Sequence, residues 1–302
     1  MGHKVLIVTT DPITGALGNI GWLAIHINAN DVATRGARPK WFFCTILLPE
    51  GANNRLLEEI MTDMDRAARE LNVAIVGGHS ETTPGLNRAI VIGFMIGEAP
   101  KNGYLTTAGV QMGDALILTK GAGIEGTAVL ASDLYQELSK RISQKTLKKA
   151  QSHLENISVV KEAMEAIRIG GVHAMHDPTE GGVLNGAWEM AEAAQKGIEI
   201  EPQKIEVARE TREICQFLQI DPLTTLGSGA LLIAAEPKKA KEIIEALAKI
   251  GVQASTIGHF HSKEEGHWTR DKNGTRTPLI PPEQDEVYRV LSKYSTSPKS
   301  NE

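Results

Sequence analysis

The sequence is short of cysteine. Its 302 residues contain two, Cys44 and Cys215, and each lies in an apolar run. Two isolated cysteines give little support to a disulfide framework or to a cysteine-based metal site. We therefore predict two buried, free thiols.

Long apolar runs and an excess of positive charge are also missing. No stretch approaches the ~18–20 apolar residues that a membrane-spanning helix needs. The first apolar segment runs directly into Asp11-Pro12, which is typical of a strand and not of a signal peptide. The formal net charge of −5 gives no reason to propose a nucleic-acid or membrane-surface partner, although a nucleotide stays open as a ligand. We expect a cytoplasmic protein.

What the sequence does have is an alternation of strand and helix patterns. Hydrophobic residues make up 41% and charged residues 23% of the chain, which predicts a globular protein with a core. The first third predicts the order β-α-β-α-β-β, an α/β layer domain. The strand in "VAIVGGHSE" is expected to break into a turn at its two glycines. The other predicted elements are strands at 5–10, 40–49 and 87–99, and helices over 20–37 and 53–73.

A second domain is predicted beyond a boundary near residue 106, where the segment is rich in glycine and small residues. The stretch Met175–Gly182, "MHDPTEGG", is expected to turn directly into a helix. The polar tail from about residue 286 is expected to fray. The other predicted elements are a strand over 114–120, a helix over 155–169 and a strand-helix-strand unit over 229–260.

Polar side chains that could bind a metal follow predicted strands or begin helices at four places along the chain. They are Asp11, Asp31, the pair His79 and Glu81, and the pair Asp177 and Glu180. Carboxylates at the ends of buried strands face the crevice in which α/β sheets place ligands. Several acids from separate strands would suit Mg²⁺, which takes a few carboxylates together with water and substrate phosphates.

Each of these side chains also has a structural interpretation. Asp177 is equally consistent with a helix N-cap, because Pro178 fits a first helical turn. Asp11 could end a strand with an Asp-Pro turn, and His79 could be a hydrogen-bonded structural histidine. Asp31 lies on a partly apolar helix face, where a buried carboxylate needs a partner, so function is favoured there. Only the joint occurrence of these features is specific.

The joint pattern resembles the superfamily of aminoimidazole ribonucleotide (AIR) synthetase, closest to the archaeal-type AIR synthase-related proteins near HypE. The matching segments occur in family order over nearly the whole chain: "VTTDPI", "INANDVATRGARP", "VGGHSETTPG", "GDALILTKGAGIEG", "HDPTEGG" and "TTLGSGALLIAAEP". The resemblance implies an α/β protein with the two-domain PurM-like fold, its domains at 1–106 and 107–302. The four-stranded sheet of the first domain would pair with that of a second copy into a barrel, which makes the protein a homodimer.

The resemblance also implies a site for ATP and Mg²⁺, in a cleft between domains or at the dimer interface. The implied metal ligands are Asp11, Asp31 and Asp177, with His79 and Glu81 where relatives carry an acid after two glycines. Lys120 and the glycines after it match a phosphate-facing turn, although this turn is not a P-loop. The ATP or phosphate contacts expected from these motifs are Asn30, Gly77, Gly78, Lys120, Gly121, Gly123, Gly181 and Gly182.

The implied activity is ATP- and Mg²⁺-dependent phosphoryl transfer to an oxygen of a small substrate that the sequence does not identify. No catalytic residue is identified either. Three departures keep alternatives open. The family's Gly-rich segment before "VTTDPI" has no counterpart, and neither does the C-terminal cysteine of HypE. His79 also stands where relatives carry Asp or Glu after the two glycines, which leaves the identity of the metal open. The alternatives are a dimeric nucleotide- or metal-binding scaffold without turnover, or a HypE-like maturation factor lacking that cysteine.

Overall fold

The computed structural model describes residues 2–14 and 19–295 and divides the chain into two compact units, Met1–Leu105 and Thr106–Glu302. The first unit has the predicted order β-α-β-α-β-β. Its elements are β1 (Lys4–Ile13), α1 (Ile20–Thr34), β2 (Arg38–Pro49), α2 (Asn54–Leu71), β3 (Ala74–Thr83) and β4 (Ile90–Pro100).

The four strands of the first unit form one sheet in the order β1-β4-β2-β3. Strands β2 and β3 run parallel, and the other two pairs are antiparallel. Burial alternates along β1 and β4, because successive side chains of a strand point to opposite faces. One face packs on the helices, whereas the other leaves Val8, Phe43 and Phe94 between 38% and 57% exposed.

Helix α1 lies closer to the sheet than ordinary side chains permit. Its residues Asn28 and Val32, one turn apart, face Gly93 and Gly97 of β4. A Cβ atom on Gly93 would lie 2.4 Å from Asn28 Nδ2, and one on Gly97 would lie 2.3 Å from Val32 Cγ1. The two glycines therefore create the groove that seats the helix. Most of α1 is buried, which explains its apolar and small residues.

Strand β3 does not break at its glycines, so the predicted Gly-Gly turn is wrong. Both Gly77 and Gly78 lie within the parallel ladder to β2, opposite Phe43 and Cys44. A Cβ atom on Gly78 would lie 2.5 Å from the Cys44 carbonyl oxygen. The second glycine thus serves the close pairing of two strands and not a turn.

The second unit contains a seven-stranded sheet in the order β11-β10-β7-β9-β5-β8-β6, covered by helices. Its elements are β5 (Ala115–Thr119), α3 (Ile124–Asp133), α4 (Tyr135–Leu138), α5 (Gln144–Gln151), α6 (Val160–Ile169), β6 (Val172–His176), α7 (Gly182–Ala193), β7 (Gly197–Ile200), α8 (Arg209–Leu218), β8 (Leu232–Ala235), α9 (Pro237–Lys249), β9 (Ala254–His261), β10 (His267–Arg270), β11 (Arg276–Pro278) and α10 (Glu286–Ser295). The predicted strand-helix-strand unit corresponds to β8, α9 and β9.

Two apolar clusters stabilise this unit. One joins the sheet to α7 through residues such as Leu232 and Phe260, and the other joins α3, α5, α8 and α10. Val287 and Val290 of α10 are 0% and 3% exposed. The predicted fraying of the tail is therefore wrong for residues 286–295, because these valines anchor a helix in the core. Residues 296–302 lie outside the described part of the chain.

Within residues 2–14 and 19–295, no helix combines the length and the apolar composition that crossing a lipid bilayer would require.

The close packing of α1 against β4 leads to the first prediction. Replacing Gly97 by alanine should lower the free energy of unfolding by about 1–3 kcal/mol, because its Cβ atom would overlap Val32. Urea unfolding of the variant measures this. Gly77→Ala is the matched control, since a Cβ atom there meets Phe43 Cδ1 at an ordinary 3.4 Å. Equal effects of the two substitutions would contradict the close approach of the helix.

Candidate functional site

Two of the predicted metal ligands lie along the contact between β1 and α1, called here the β1–α1 seam. The Thr9 hydroxyl donates to Asp31 Oδ2 at 2.8 Å. The Asp11 N–H donates to Asn28 Oδ1 at 2.9 Å, and Asn28 Nδ2 donates back to the Asp11 carbonyl at 3.2 Å. Thr9 and Asp11 are two residues apart on β1, so their side chains point to the same face of the sheet, the one that α1 covers. The structure thus brings Asp11 and Asp31 to one seam.

The two carboxylates of this seam are compatible with the predicted Mg²⁺ site, which stays a prediction. Within the described ranges 2–14 and 19–295, no three His, Cys, Asp or Glu side chains come close enough to hold one ion. Mg²⁺ needs no such group, since it is commonly held by one or two carboxylates, several waters and substrate phosphates. Asp11 and Asp31 supply the hard oxygen donors that this ion prefers.

His79 and Glu81 do not join this pair within one copy of the chain. They lie on β3, at the opposite edge of the sheet from β1. Three strand spacings separate the two edges, on the order of 14 Å, whereas a metal–oxygen bond is roughly 2 Å long. His79 Nε2 instead lies 3.2 Å from Glu81 Oε2, and their side chains are 66% and 51% exposed. The prediction placed them with Asp11 because spacing along the chain does not reveal strand order.

Three predicted phosphate contacts of the first unit occupy structural positions. The Asn30 side chain is fully buried on α1, so it does not present its amide at the surface of the chain. Gly77 and Gly78 belong to the β2–β3 ladder and do not form a phosphate-binding turn.

The "MHDPTEGG" stretch holds two parts of the second unit together. Helix α7 begins at Gly182 with Gly181 as its N-cap, so the buried Asp177 is not the capping residue. The Gly181 N–H donates to Asp285 Oδ2 at 2.7 Å, and the Gly182 N–H donates to the Thr179 carbonyl at 3.2 Å. Both amides expected to contact phosphate are thus used within the unit.

Lys120 is likewise engaged inside the second unit. Its Nζ lies 2.8 Å from the Asn156 carbonyl and 2.7 Å from the Ser158 carbonyl, and 2.8 Å from Oε1 of the buried Glu162. Burial lowers the pKa of this ammonium, and Glu162 opposes the shift. The two carbonyls accept hydrogen bonds from the ammonium, and the Glu162 carboxylate balances its charge. Lys120 is therefore held in place within the second unit, and its role toward a phosphate stays a prediction.

The glycines after Lys120 shape the turn into α3. The Gly121 N–H donates to the Thr119 carbonyl at 2.6 Å. Gly123 is the N-cap of α3 with a left-handed φ of 67°, which favours glycine. The path of the backbone thus explains why glycine occupies both positions. The role of these two residues toward a phosphate stays a prediction.

A cavity of about 260 Å³ lies beside this turn. It is lined by the turn itself, by a 3-10 turn at residues 152–156, by the N-cap of α8 and by the segment before β9. The lining residues are Lys120, Gly121, Ala122, Ile124, His153, Asn156, Ala208, Gly251 and Gln253. Sequence reasoning missed His153, because it lies in a polar segment without a motif.

Both cysteines are buried and free, as predicted. Burial raises the pKa of the Cys44 thiol, and it raises the pKa of Cys215 to about 12. Neither side chain is an accessible thiolate at neutral pH, and the thiolate is the nucleophilic form of cysteine.

Comparisons with known proteins identify both halves of the chain. The family model "AIR synthase related protein, N-terminal domain" matches residues 1–99, and the corresponding C-terminal domain model matches residues 111–269. A putative hydrogenase expression/formation protein of Methanocaldococcus jannaschii is 30% identical over 275 residues, which cover 88% of this chain and 79% of that protein.

The carbamoyl dehydratase HypE of Escherichia coli is 30% identical over 253 residues, covering 82% of this chain and 72% of that one. A crystal structure of HypE in complex with ATP has a TM-score of 0.80 at 25% identity, covering 94% of this chain and 87% of the other. These similarities confirm the resemblance and the two-domain PurM-like fold. The barrel across a dimer stays a prediction.

The contacts of Lys120 predict a stability effect. Lys120→Met should lower the free energy of unfolding by about 3–5 kcal/mol, because it leaves the Glu162 carboxylate buried without its cation. Denaturant unfolding checks the loss, and the double variant Lys120→Met/Glu162→Met should recover most of it. A Lys120→Met protein of unchanged stability but weakened ATP binding would instead assign the ammonium to the ligand.

Proposed function

The chain belongs to the AIR synthase related proteins, and from that premise we propose that it is an ATP- and Mg²⁺-dependent enzyme. It would transfer a phosphoryl group from ATP to an oxygen atom of a small substrate. The relatives support this: the chain is 30% identical to a carbamoyl dehydratase, and HypE, of the same fold, has been crystallised with ATP.

The β1–α1 seam is the observation that carries the proposal. Asp11 and Asp31 lie on adjacent elements that are fixed to each other by the hydrogen bonds of Thr9 and Asn28. Carboxylates on two elements that are fixed to each other would need little rearrangement to take up a cation between them. The other predicted ligands stay proposals that the seam does not require.

Mg²⁺ bound there would neutralise the negative charge that repels an attacking oxygen from the phosphates of ATP. Asp11 and Asp31 would hold it. The chain's own contribution is positional: α1 is seated against Gly93 and Gly97, so the position of Asp31 relative to β1 is set by close packing.

A second candidate function is a step in hydrogenase maturation. It is favoured by the M. jannaschii relative, whose name describes hydrogenase expression or formation and which matches over 88% of this chain. A reaction through the thiolates of Cys44 or Cys215 is not part of this candidate, since both are buried with raised pKa values. A measurement of ATP consumption distinguishes these enzymes from a binding scaffold, because a scaffold would bind ATP without consuming it.

We further propose that the chain forms a homodimer through the open face of its four-stranded sheet. Phe43 and Phe94 are directly opposed on β2 and β4, and Leu6 and Val8 extend the same face along β1. Each of the four is between 38% and 57% exposed. A contiguous apolar sheet face of this kind is a common interaction surface, and a second copy would cover it with an equivalent face.

The seam predicts how nucleotide binding responds to charge. Asp31→Asn should weaken Mg²⁺-dependent ATP binding by at least about tenfold. Loss of a group that only hydrogen-bonds to a metal ligand commonly costs roughly 10–100-fold in metal affinity, and Asp31 would bind the metal directly. Isothermal titration with ATP, with and without Mg²⁺, measures the change. Asparagine keeps an acceptor for Thr9, so the fold should be retained.

Asp63→Asn is the matched control for this variant. Asp63 lies on α2 and pairs with Arg66 at the surface, so its loss should leave ATP binding unchanged. Wild-type affinity in Asp31→Asn would show that Asp31 is structural and would remove the main support for the metal site.

The open sheet face predicts a second, independent outcome. Phe94→Glu should convert the dimer to a monomer at micromolar concentration, because a carboxylate at the centre of an apolar interface has no partner there. Sedimentation equilibrium measures the mass. Ile280→Glu is the control, since Ile280 is 77% exposed in the other unit. A wild-type protein that is already monomeric, or a dimeric Phe94→Glu variant, would rule out this interface.

A further inference from the structure

The cavity beside the β5–α3 turn contains an imidazole held in one orientation. His153 Nε2 lies 2.8 Å from Oε1 of Glu210, a buried carboxylate in the first turn of α8. Lys149 of α5 lies 3.1 Å from the same carboxylate. The Glu210 oxygen is an acceptor, so Nε2 carries the proton and donates it. A carboxylate behind a histidine in this way fixes both the tautomer and the ring orientation.

The other ring nitrogen of His153 has no partner among the described residues. Nδ1 is buried and makes no hydrogen bond. A buried polar atom without a partner costs about 1–3 kcal/mol, so such an atom in a native protein calls for an explanation. His153 lines the cavity, and a bound molecule there could supply the missing partner.

The charges around the cavity indicate the kind of molecule. Lys120 is balanced by Glu162, and Lys149 is balanced by Glu210. Protonation of His153 would therefore leave one net positive charge in this group. The titratable groups placed against the imidazole are Glu210 of α8 and Lys149 of α5, with Lys120 and its partner Glu162 at the cavity wall. This charge favours an anion, and it is present only when Nδ1 carries a proton.

The volume of the cavity is compatible with a small anion. About 260 Å³ is slightly below the roughly 300–1,000 Å³ of sites that enclose drug-sized ligands. It is large enough for a small oxyanion.

We propose that this cavity binds a small oxyanion, with the Nδ1–H of a protonated His153 donating to one of its oxygens and Glu210 accepting from Nε2–H. The inference rests on the proposed function for the reaction and deepens it by naming the substrate class. His153 acts here as a binding residue whose protonation is linked to the ligand.

The test uses sulfate as the probe, because its charge does not change between pH 6 and pH 8. Isothermal titration of the full chain at constant ionic strength, with chloride as the balancing salt, should show sulfate binding at least about tenfold tighter at pH 6 than at pH 8, a difference of about 1.4 kcal/mol. Inorganic phosphate and acetate, titrated in competition with sulfate, then distinguish a phosphate-type from a carboxylate-type substrate.

His153→Gln should weaken sulfate binding about tenfold at pH 6 and abolish its pH dependence, while ATP binding stays unchanged. Glu210→Gln keeps the imidazole but removes the charge behind it, so it should reduce the pH dependence. His173→Gln is the matched control: His173 Nδ1 lies 2.9 Å from the buried Asp114 in a similar pair outside this cavity. It should bind sulfate as the wild type does. Unfolding midpoints confirm that each variant is folded.

Three outcomes would overturn the inference. They are no sulfate binding by the wild type at pH 6, unchanged binding by His153→Gln, or a parallel loss of ATP binding in His153→Gln, which would assign the cavity to the nucleotide. The proposed function fails separately, if the wild type binds sulfate as described but does not bind ATP with Mg²⁺.

Discussion

The structure of the first unit depends on the close approach of α1 to β1 and β4. Two glycines on β4 admit Asn28 and Val32, and Asn28 then hydrogen-bonds both backbone groups of Asp11. The helix therefore has one register against the sheet, and Asp31 reaches Thr9 as a consequence. A methyl group on either glycine would displace the helix and, with it, the carboxylate pair. Packing between apolar and small residues thus sets the position of the groups that would carry chemistry.

Hydrogen-bond donors that a sequence motif offers to a ligand are largely used by the protein itself. The amide of Gly181 serves Asp285, and the ammonium of Lys120 serves two carbonyls and Glu162. Buried polar groups must be satisfied internally, so a glycine-rich turn next to a buried strand often supports packing before it supports a ligand. The informative positions are then those at which a buried polar atom is left unsatisfied, as at His153.

Local patterns predicted the fold better than they predicted the site. Helix α2 could be predicted from its apolar spacing, and Asn53 caps it as the chain enters. The path of β3 through Gly77 and Gly78 could not, because it depends on parallel pairing with β2, a contact distant in sequence. For α10, a signal was present in Val287 and Val290, three residues apart within a polar segment, but the polar composition outweighed it. The separation of His79 from Asp11 within one copy could not be predicted, because strand order is a property of the sheet.

Glu210 connects the packing of the second unit with its proposed chemistry. Burial tends to raise the pKa of this carboxyl, but the hydrogen bonds from His153 and Lys149 outweigh burial and hold the pKa below its usual range. The Glu210 carboxylate accepts from the Nε2–H of His153, so Nδ1 is the ring nitrogen left without a hydrogen bond among the described residues. Because an oxyanion would favour the protonated form of His153, ligand and proton should bind together.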